Sequence, residues 1–202
     1  DTFNKTRDAN IYLYLERMAF ALDLKDQALD YSAKVEMVND INVLAKEFLY
    51  RYQILKSNGN NIDMEKFFSY TQLNPDFIKQ NESNPVIIDF YNDYYFYLLK
   101  NEDKSNANII LKKLYDKQKE VKAFIYSPFV ELELSKLEKE LDNKQKSIDY
   151  LLEALKNTRK IKPNDEVKIY YDILNLYDGL GNKSKKDEYV LKCKEVKDSV
   201  DS

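Results

Sequence analysis

Apolar residues recur along most of the chain at spacings of three and four, and short polar segments interrupt them. Tyr91, Tyr94, Tyr95 and Leu98 show the spacing that places side chains on one face of a helix. This pattern predicts an all-α fold. Ten helices are predicted, at about 6–22, 25–38, 41–57, 62–73, 85–100, 104–122, 128–141, 144–160, 165–179 and 183–199, with a short extra turn at 76–80.

The polar turns recur at a nearly constant interval. When Asp23, Gly59, Glu102, Asp142 and Gly181 are taken as equivalent positions, the gaps are 36, 43, 40 and 39 residues. Each turn separates two predicted helices of similar length, so the pattern indicates five antiparallel helical hairpins. We predict one domain over residues 1–202, with repeats at about 6–38, 41–80, 85–122, 128–160 and 165–199.

Several residues between the helices are typical helix boundaries. Asn84-Pro85 and Ser127-Pro128 each place an N-cap residue type before a proline that suits the first helical turn. Gly181 is expected to end a helix, because glycine is common just past the last helical turn.

The hairpins resemble tetratricopeptide repeats over nearly the whole chain. That family has an aromatic residue early in the first helix of each repeat, a small residue early in the second, and a proline at the end. The residues that match are Tyr12, Phe48, Tyr91 and Tyr170; Ala28, Ala107 and Ser147; and Pro75 and Pro163. The stretch 171–189 is the best single match.

The chain also departs from the family pattern. Glu131 replaces the early aromatic residue, and Met64 and Lys186 replace the small one. Tyr52 and Tyr95 stand where the family has a small residue in the middle of the first helix. The family period is about 34 residues, shorter than every gap here. The array is therefore a divergent one, and other helical-hairpin solenoids are the alternative.

The resemblance implies a right-handed superhelical stack, a TPR-like α-solenoid, whose first helices line a concave groove. The amide groups of the groove could bind a peptide backbone, and its basic groups could bind a carboxylate. The groove is also predicted to have positive electrostatic potential near Arg17 and Lys46 at one end or near Lys136 and Lys168 at the other. A solvated, lysine-rich surface is the alternative. The groove residues implied are Asn10, Leu13, Arg17, Lys46, Leu49, Gln53, Asp89, Asn92, Phe96, Leu132, Lys136, Lys139, Lys168, Tyr171 and Asn175.

The aromatic run at 91–97 divides into two predicted roles. Tyr91, Tyr94, Tyr95 and Leu98 form a buried stripe of the central repeat. Phe96 lies off that stripe and is predicted to face the groove, where an aromatic side chain can anchor a ligand.

Composition and charge narrow the function classes. Three Gly and four Pro are too few for the many tight turns of a sandwich or barrel. With 32 basic and 35 acidic residues and no basic block, a nucleic-acid partner is not predicted. The longest apolar run, residues 94–99, is far shorter than the roughly 20 residues of a transmembrane helix. The richness in Asn, Lys, Ile and Tyr suits a bacterial gene of low GC content.

The residues that most enzymes need are missing. There is no His, and the single Cys193 cannot build a zinc or iron–sulfur site. No glycine-rich phosphate-binding motif occurs. Pairs of acids such as Glu131 and Glu133 are numerous, but in a helical chain they are usually solvated surface. We therefore predict a protein that is not an enzyme and has no cofactor or metal.

Three functions fit these observations. The first is a non-catalytic scaffold that binds a protein or peptide on the concave face. The second is the ligand-sensing or peptide-receptor region of a bacterial signalling protein, such as a sensor kinase, a cyclase or a transcription regulator. The third is a carrier of a small ligand or lipid, which needs a deep apolar pocket around Phe96. Because the chain begins at Asp1, we expect a domain of a longer or processed protein, and the sequence assigns no compartment.

Overall fold

The computed structural model describes residues 2–38, 41–59, 61–73, 76–157 and 161–200. In these residues every regular element is an α-helix, so the prediction of ten main helices and a short extra one is confirmed. The helices are α1 (Thr2–Ala21), α2 (Lys25–Val38), α3 (Ile41–Asn58), α4 (Asn61–Leu73), α5 (Asp76–Gln80), α6 (Ile87–Lys100), α7 (Lys104–Val121), α8 (Phe129–Glu140), α9 (Lys144–Asn157), α10 (Pro163–Gly179) and α11 (Lys183–Val200).

The predicted N-cap at Ser127 is wrong. The Ser127–Pro128 peptide bond is cis, α8 begins at Phe129 without a side-chain cap, and the buried Ser127 hydroxyl has no hydrogen-bond partner among the described residues. Asn84 accepts a hydrogen bond from the Val86 backbone N–H at 3.0 Å, but in a turn that precedes α6. Both helices therefore begin later than predicted, because backbone turns occupy the residues before them.

All five predicted turn positions adopt the left-handed backbone conformation. The φ angles of Asp23, Gly59, Glu102, Asp142 and Gly181 lie between 57° and 70°. At Glu102 the helix ends in two reversed hydrogen bonds, from the Asp103 N–H to the Leu98 carbonyl at 2.9 Å and from the Glu102 N–H to the Leu99 carbonyl at 3.1 Å. This Schellman arrangement satisfies carbonyls that the helix leaves unpaired, and it recurs at Asp23, Asp142 and Gly181.

Glu102→Gly is expected to raise the free energy of unfolding by about 1 kcal/mol. A side chain beyond Cβ makes positive φ unfavourable by roughly that amount, whereas glycine adopts it freely. Urea denaturation of the variant and the parent chain measures the change. Lys112→Gly is the control, because Lys112 is exposed in the middle of α7 and its replacement should lower the free energy of unfolding by about 1 kcal/mol. A decrease for both variants would contradict the strain at Glu102.

The helices form two compact units, Asp1–Asp103 and Lys104–Ser202. In the first, α1 packs on α2, α3 packs on α4, and α5 and α6 both pack on α3. In the second, α8 pairs with α9 and α10 pairs with α11, while α7 packs on α8 and α9 packs on α10. Each unit therefore contains antiparallel hairpins whose neighbours cover one another.

Aromatic rings form the core of the first unit. Phe90 lies at the centre, with ring centroids 5.1 Å from Phe48, 5.6 Å from Tyr52 and 5.3 Å from Tyr94. The predicted stripe of Tyr91, Tyr94, Tyr95 and Leu98 is buried, which confirms that part of the prediction. The Tyr52 hydroxyl donates a hydrogen bond to Asp93 at 2.7 Å, so this large residue replaces a small one without leaving its polar atom unpaired.

Two groove predictions are wrong in this unit. Leu13 and Leu49, assigned to the concave face, are both buried. The cause is helix packing. Five helices contact α3, namely α1, α2, α4, α5 and α6, and two helices, α2 and α3, contact α1. A helix that is enclosed on several sides needs more apolar positions than the family pattern assigns to its core.

The first unit also buries two carboxyl groups between α1, α2 and α3. Glu16 and Glu47 are almost inaccessible to solvent, and no donor in the described part of the chain reaches either Glu16 oxygen. Ser32 donates a hydrogen bond to Glu47. Burial, and then the charge of Glu47, raises the pKa of Glu16 to about 9. Burial raises the pKa of Glu47 to about 7, although Arg51 opposes this shift.

Candidate binding groove

The second unit contains a cavity of about 640 Å³ between α8, α9 and α10, which we call the α8–α10 pocket. Its floor is apolar, and its size lies in the range of ligand and side-chain pockets. The apolar lining consists of Pro128, Phe129, Leu132, Leu151, Ile161, Ile169 and Leu176. Leu151, Ile169 and Leu176 belong to the core of the unit, so the floor is held rigidly by packing.

Charged side chains surround this apolar floor. Lys136 pairs with Glu133 at 2.6 Å, and Lys168 pairs with Asp165 at 3.2 Å. Lys139, Lys162 and Asp172 also line the pocket, and none of them has an ion pair in the described part of the chain. The pocket therefore offers two ammonium groups and one carboxylate to a ligand, and none of these groups has to leave an ion-pair partner among the described residues.

A smaller cavity of about 420 Å³ lies at Phe96 in the first unit, between α3, α4 and α6. Lys56 and Asp93 line it and form an ion pair at 2.9 Å, and Lys100 pairs with Glu65. The cavity is open and its charged groups neutralise one another, so it does not have the enclosed apolar form that a lipid carrier needs.

The two cavities occupy equivalent positions of the repeat. Alignment of the first helices on Phe48 and Glu131 matches Lys56 with Lys139, and alignment on Tyr91 and Tyr170 matches Asp93 with Asp172. The first pair is closed into an ion pair, whereas the second pair faces the α8–α10 pocket without one. In the first unit the two charged groups at this position pair with each other. In the second unit the equivalent Lys139 and Asp172 line the pocket and are available to a ligand.

The predicted groove residues of the first unit lie on α1, α3 and α6. Asn10 and Lys46 are exposed, Gln53 and Asp89 are half-buried, and Phe96 is 48% exposed. Asn92 donates a hydrogen bond to Asp93 at 3.2 Å. The guanidinium of Arg17 lies 4.3 Å from the centre of the Tyr50 ring and makes a cation–π contact with it.

Of the predicted groove residues in the second unit, four line the pocket and two do not. Leu132, Lys136, Lys139 and Lys168 line it. Asn175 is exposed outside it, and Tyr171 accepts a hydrogen bond from Lys197 at 3.1 Å. That hydrogen bond raises the pKa of Lys197.

Sequence reasoning missed the pocket residues that belong to connections. Pro128 and Phe129 lie at the start of α8, and Ile161 and Lys162 precede α10. Residues in connections, and the first residue of a helix such as Phe129, have no fixed place in a helical repeat pattern. The only available signal was the apolar and basic character of short connections that ended at a proline.

The described residues contain no group of three or more His, Cys, Asp or Glu that could hold a metal ion. In the same part of the chain, no helix combines the length and the apolar character needed to cross a membrane. The α8–α10 pocket thus offers an apolar surface, ammonium groups and a carboxylate, which suits non-covalent binding.

No protein-family model matches the chain, and no curated protein matches it. Several solved structures are similar to it. BtubC from P. vanneervenii gives a TM-score of 0.49 at 12% identity, over 100% of this chain and 91% of that one. A proposed kinesin light chain from P. anserina with nearly identical TPR-like repeats gives 0.47 at 8% identity, over 99% and 98%. MamA (41 to the end) from Desulfovibrio magneticus RS-1 gives 0.43 at 16% identity, over 96% and 98%.

The chain has an all-α fold of successive antiparallel helical hairpins, and this fold resembles that of tetratricopeptide repeats. Its hairpins, its left-handed turns and the early aromatic residues of its first helices carry this likeness. The TM-scores and identities of the similar structures are too low to carry an argument about function. Any function therefore has to be inferred from the residues of the pocket.

Proposed function

We propose that this chain is a protein-interaction scaffold that binds a segment of a partner protein in the α8–α10 pocket. The observation that supports this proposal best is the combination of an apolar floor with the charged groups of Lys139, Lys162 and Asp172, none of which has an ion pair within residues 76–157 and 161–200. A segment with one large apolar side chain beside an acidic residue is the ligand that complements these groups. The apolar side chain fills the pocket, and the acid contacts an ammonium group.

Acidic peptides are expected to bind more tightly than neutral ones, and Lys139→Glu is expected to weaken that binding about tenfold. A hydrogen bond to a charged group contributes roughly 1.5–3 kcal/mol, and about 1.4 kcal/mol corresponds to a factor of ten in affinity. The measurement is fluorescence anisotropy with labelled peptides that carry one Leu or Phe and either Glu or Gln beside it. Binding of the Glu peptides should also weaken as salt is added.

Lys146→Glu is the matched control for this experiment. Lys146 is exposed on α9 and does not line the pocket, so its reversal changes the net charge equally but leaves the site intact. Equal weakening by both variants would show a general charge effect and would contradict binding at the pocket. Leu132→Arg places a charge on the apolar lining and should weaken the Glu and the Gln peptides alike.

The same groove could serve a sensor or peptide receptor of a signalling protein, and that role stays a prediction from the sequence. A receptor also binds a peptide, so the experiment above tests the site for both roles. The scaffold is proposed first because peptide binding alone is sufficient for it.

A further inference from the structure

Ser135 in the α8–α10 pocket is the smallest residue at a position that recurs in all five first helices. This position lies four residues after the early residue on which the first helices are aligned, and the equivalents of Ser135 are Glu16, Tyr52, Tyr95 and Leu174. The hydroxyls of Ser135 and Ser147 are hydrogen-bonded at 2.8 Å, and both residues line the pocket. Two small residues therefore line the cavity at a position where two other first helices carry a tyrosine.

In the first unit, Tyr52 shows which groups surround a side chain at this position. Tyr52 is 1% exposed, and the centre of its ring lies 5.6 Å from that of Phe90 on α6. Its hydroxyl donates a hydrogen bond to Asp93 at 2.7 Å and accepts one from the Lys56 ammonium at 3.1 Å. The ring thus has an apolar neighbour, and the hydroxyl binds both members of an ion pair.

The α8–α10 pocket contains the equivalents of all three partners of Tyr52. They line the cavity, and the repeat alignment pairs Ile169 with Phe90, Lys139 with Lys56, and Asp172 with Asp93. The second unit therefore has the surroundings of the tyrosine without the tyrosine, because Ser135 stands in its place.

We propose that the α8–α10 pocket selects a tyrosine side chain of the partner, which occupies the place that Tyr52 fills in the first unit. The ring packs against Leu151 and Ile169. The phenol hydroxyl donates a hydrogen bond to Asp172 and accepts one from Lys139. This inference rests on the proposed function, because it names the anchor residue of the bound segment. Lys162 is then the ammonium group that contacts the neighbouring acid.

The charged groups of the pocket distinguish tyrosine from phenylalanine or leucine. A side chain without a polar atom removes water from Lys139 and Asp172 and offers neither a hydrogen bond, which is costly for a charged group. A phenol hydroxyl gives the carboxylate a donor and the ammonium an acceptor. A site that hydrogen-bonds a hydroxyl therefore discriminates strongly against the analogue that lacks it.

Fluorescence anisotropy with three labelled peptides tests this selectivity. The peptides carry Tyr, Phe or Leu beside the same Glu and are otherwise identical. The Tyr peptide should bind about tenfold more tightly than the Phe peptide, or better. Asp172→Ala should reduce that ratio to near unity. Asp187→Ala is the matched control and should preserve the ratio, because Asp187 is exposed on α11 and does not line the pocket.

The outcomes separate this inference from the proposed function. Equal affinity for the Tyr and Phe peptides overturns the tyrosine selectivity, and if Lys139→Glu still weakens both peptides, the binding site itself stands. Absence of binding by all three peptides overturns both proposals. A preference for Tyr that survives Asp172→Ala also overturns the inference, because the hydroxyl is then recognised by another group.

Substitutions of Ser135 test the same complementarity from within the chain. Ser135→Tyr places a tyrosine at the position of Tyr52 and should block the pocket, so that the Tyr peptide binds about tenfold more weakly or worse. Ser184→Tyr, at an exposed position on α11, is the control and should leave binding unchanged.

Urea denaturation of the Ser135 variants needs no peptide. Ser135→Tyr should unfold at a higher urea concentration than Ser135→Phe, because only the tyrosine has a hydroxyl that can bind Asp172 and Lys139. Adding Asp172→Ala should remove that difference. Equal midpoints for the two variants while Asp172 is present overturn the inference. The peptide ratios on the parent chain do not depend on whether these variants fold.

Discussion

Replacing Tyr95 by Ala is expected to lower the free energy of unfolding by about 3–5 kcal/mol, the usual range when a large buried aromatic side chain is removed. Tyr95 is only 3% exposed on α6. The substitution leaves a cavity that the surrounding helices cannot fill without moving. Urea denaturation followed by circular dichroism measures the change.

Phe96→Ala is the matched control, because the two residues are neighbours in the chain. Their rings contact each other edge-on, with centroids 5.3 Å apart, but Phe96 is 48% exposed. Its replacement should lower the free energy of unfolding by less than about 1 kcal/mol. Equal losses for the two variants would show that Phe96 belongs to the core. In that case the aromatic run has a structural role throughout, and the predicted role of Phe96 in binding is wrong.

The free energy of unfolding is expected to fall as the pH rises from about 5 to 9. Glu16 and Glu47 in the folded chain have pKa values raised to about 9 and about 7, above the ordinary value of 4.5. The folded chain therefore holds protons that the unfolded chain releases above pH 4.5. Their stabilising effect is complete below that pH and is lost as the pH rises through 7 and then 9.

Glu16→Gln tests which group causes this dependence. The amide cannot ionise, so the variant should lose less stability than the parent chain between pH 5.5 and 9. Glu195→Gln, an exposed position on α11, is the control and should leave the pH profile unchanged. Urea denaturation at pH 5.5, 7 and 9 gives the profile. A Glu16→Gln variant with the full pH dependence of the parent would assign the effect to other groups.

The turns show how far local sequence can determine structure. Asp23, Gly59, Glu102, Asp142 and Gly181 were identified as turns from the polar segments between helical patterns and their regular spacing, and all five have positive φ. A helix end of this kind depends on a few consecutive residues and on hydrogen bonds within one turn. Local sequence is therefore sufficient to predict it, even where the residue is Glu instead of Gly.

The helix starts show where local sequence is not sufficient. Ser127 has the residue type of an N-cap, but its hydroxyl caps no helix in the structure. Whether a Ser caps a helix depends on the path of the chain that enters it. That path is set by packing against other helices, which the residue type does not record.

The sequence by itself determined the all-α fold, the hairpins and the buried stripe of α6. These follow from helical periodicity and from a repeat that places equivalent residues on equivalent faces. Only the tertiary structure decided that Lys56 and Asp93 close into an ion pair while Lys139 and Asp172 remain open to the pocket. It also decided that Leu13 is buried while Met18 is exposed. Periodicity shows that a helix has an apolar face, but the neighbouring helices determine which faces are covered.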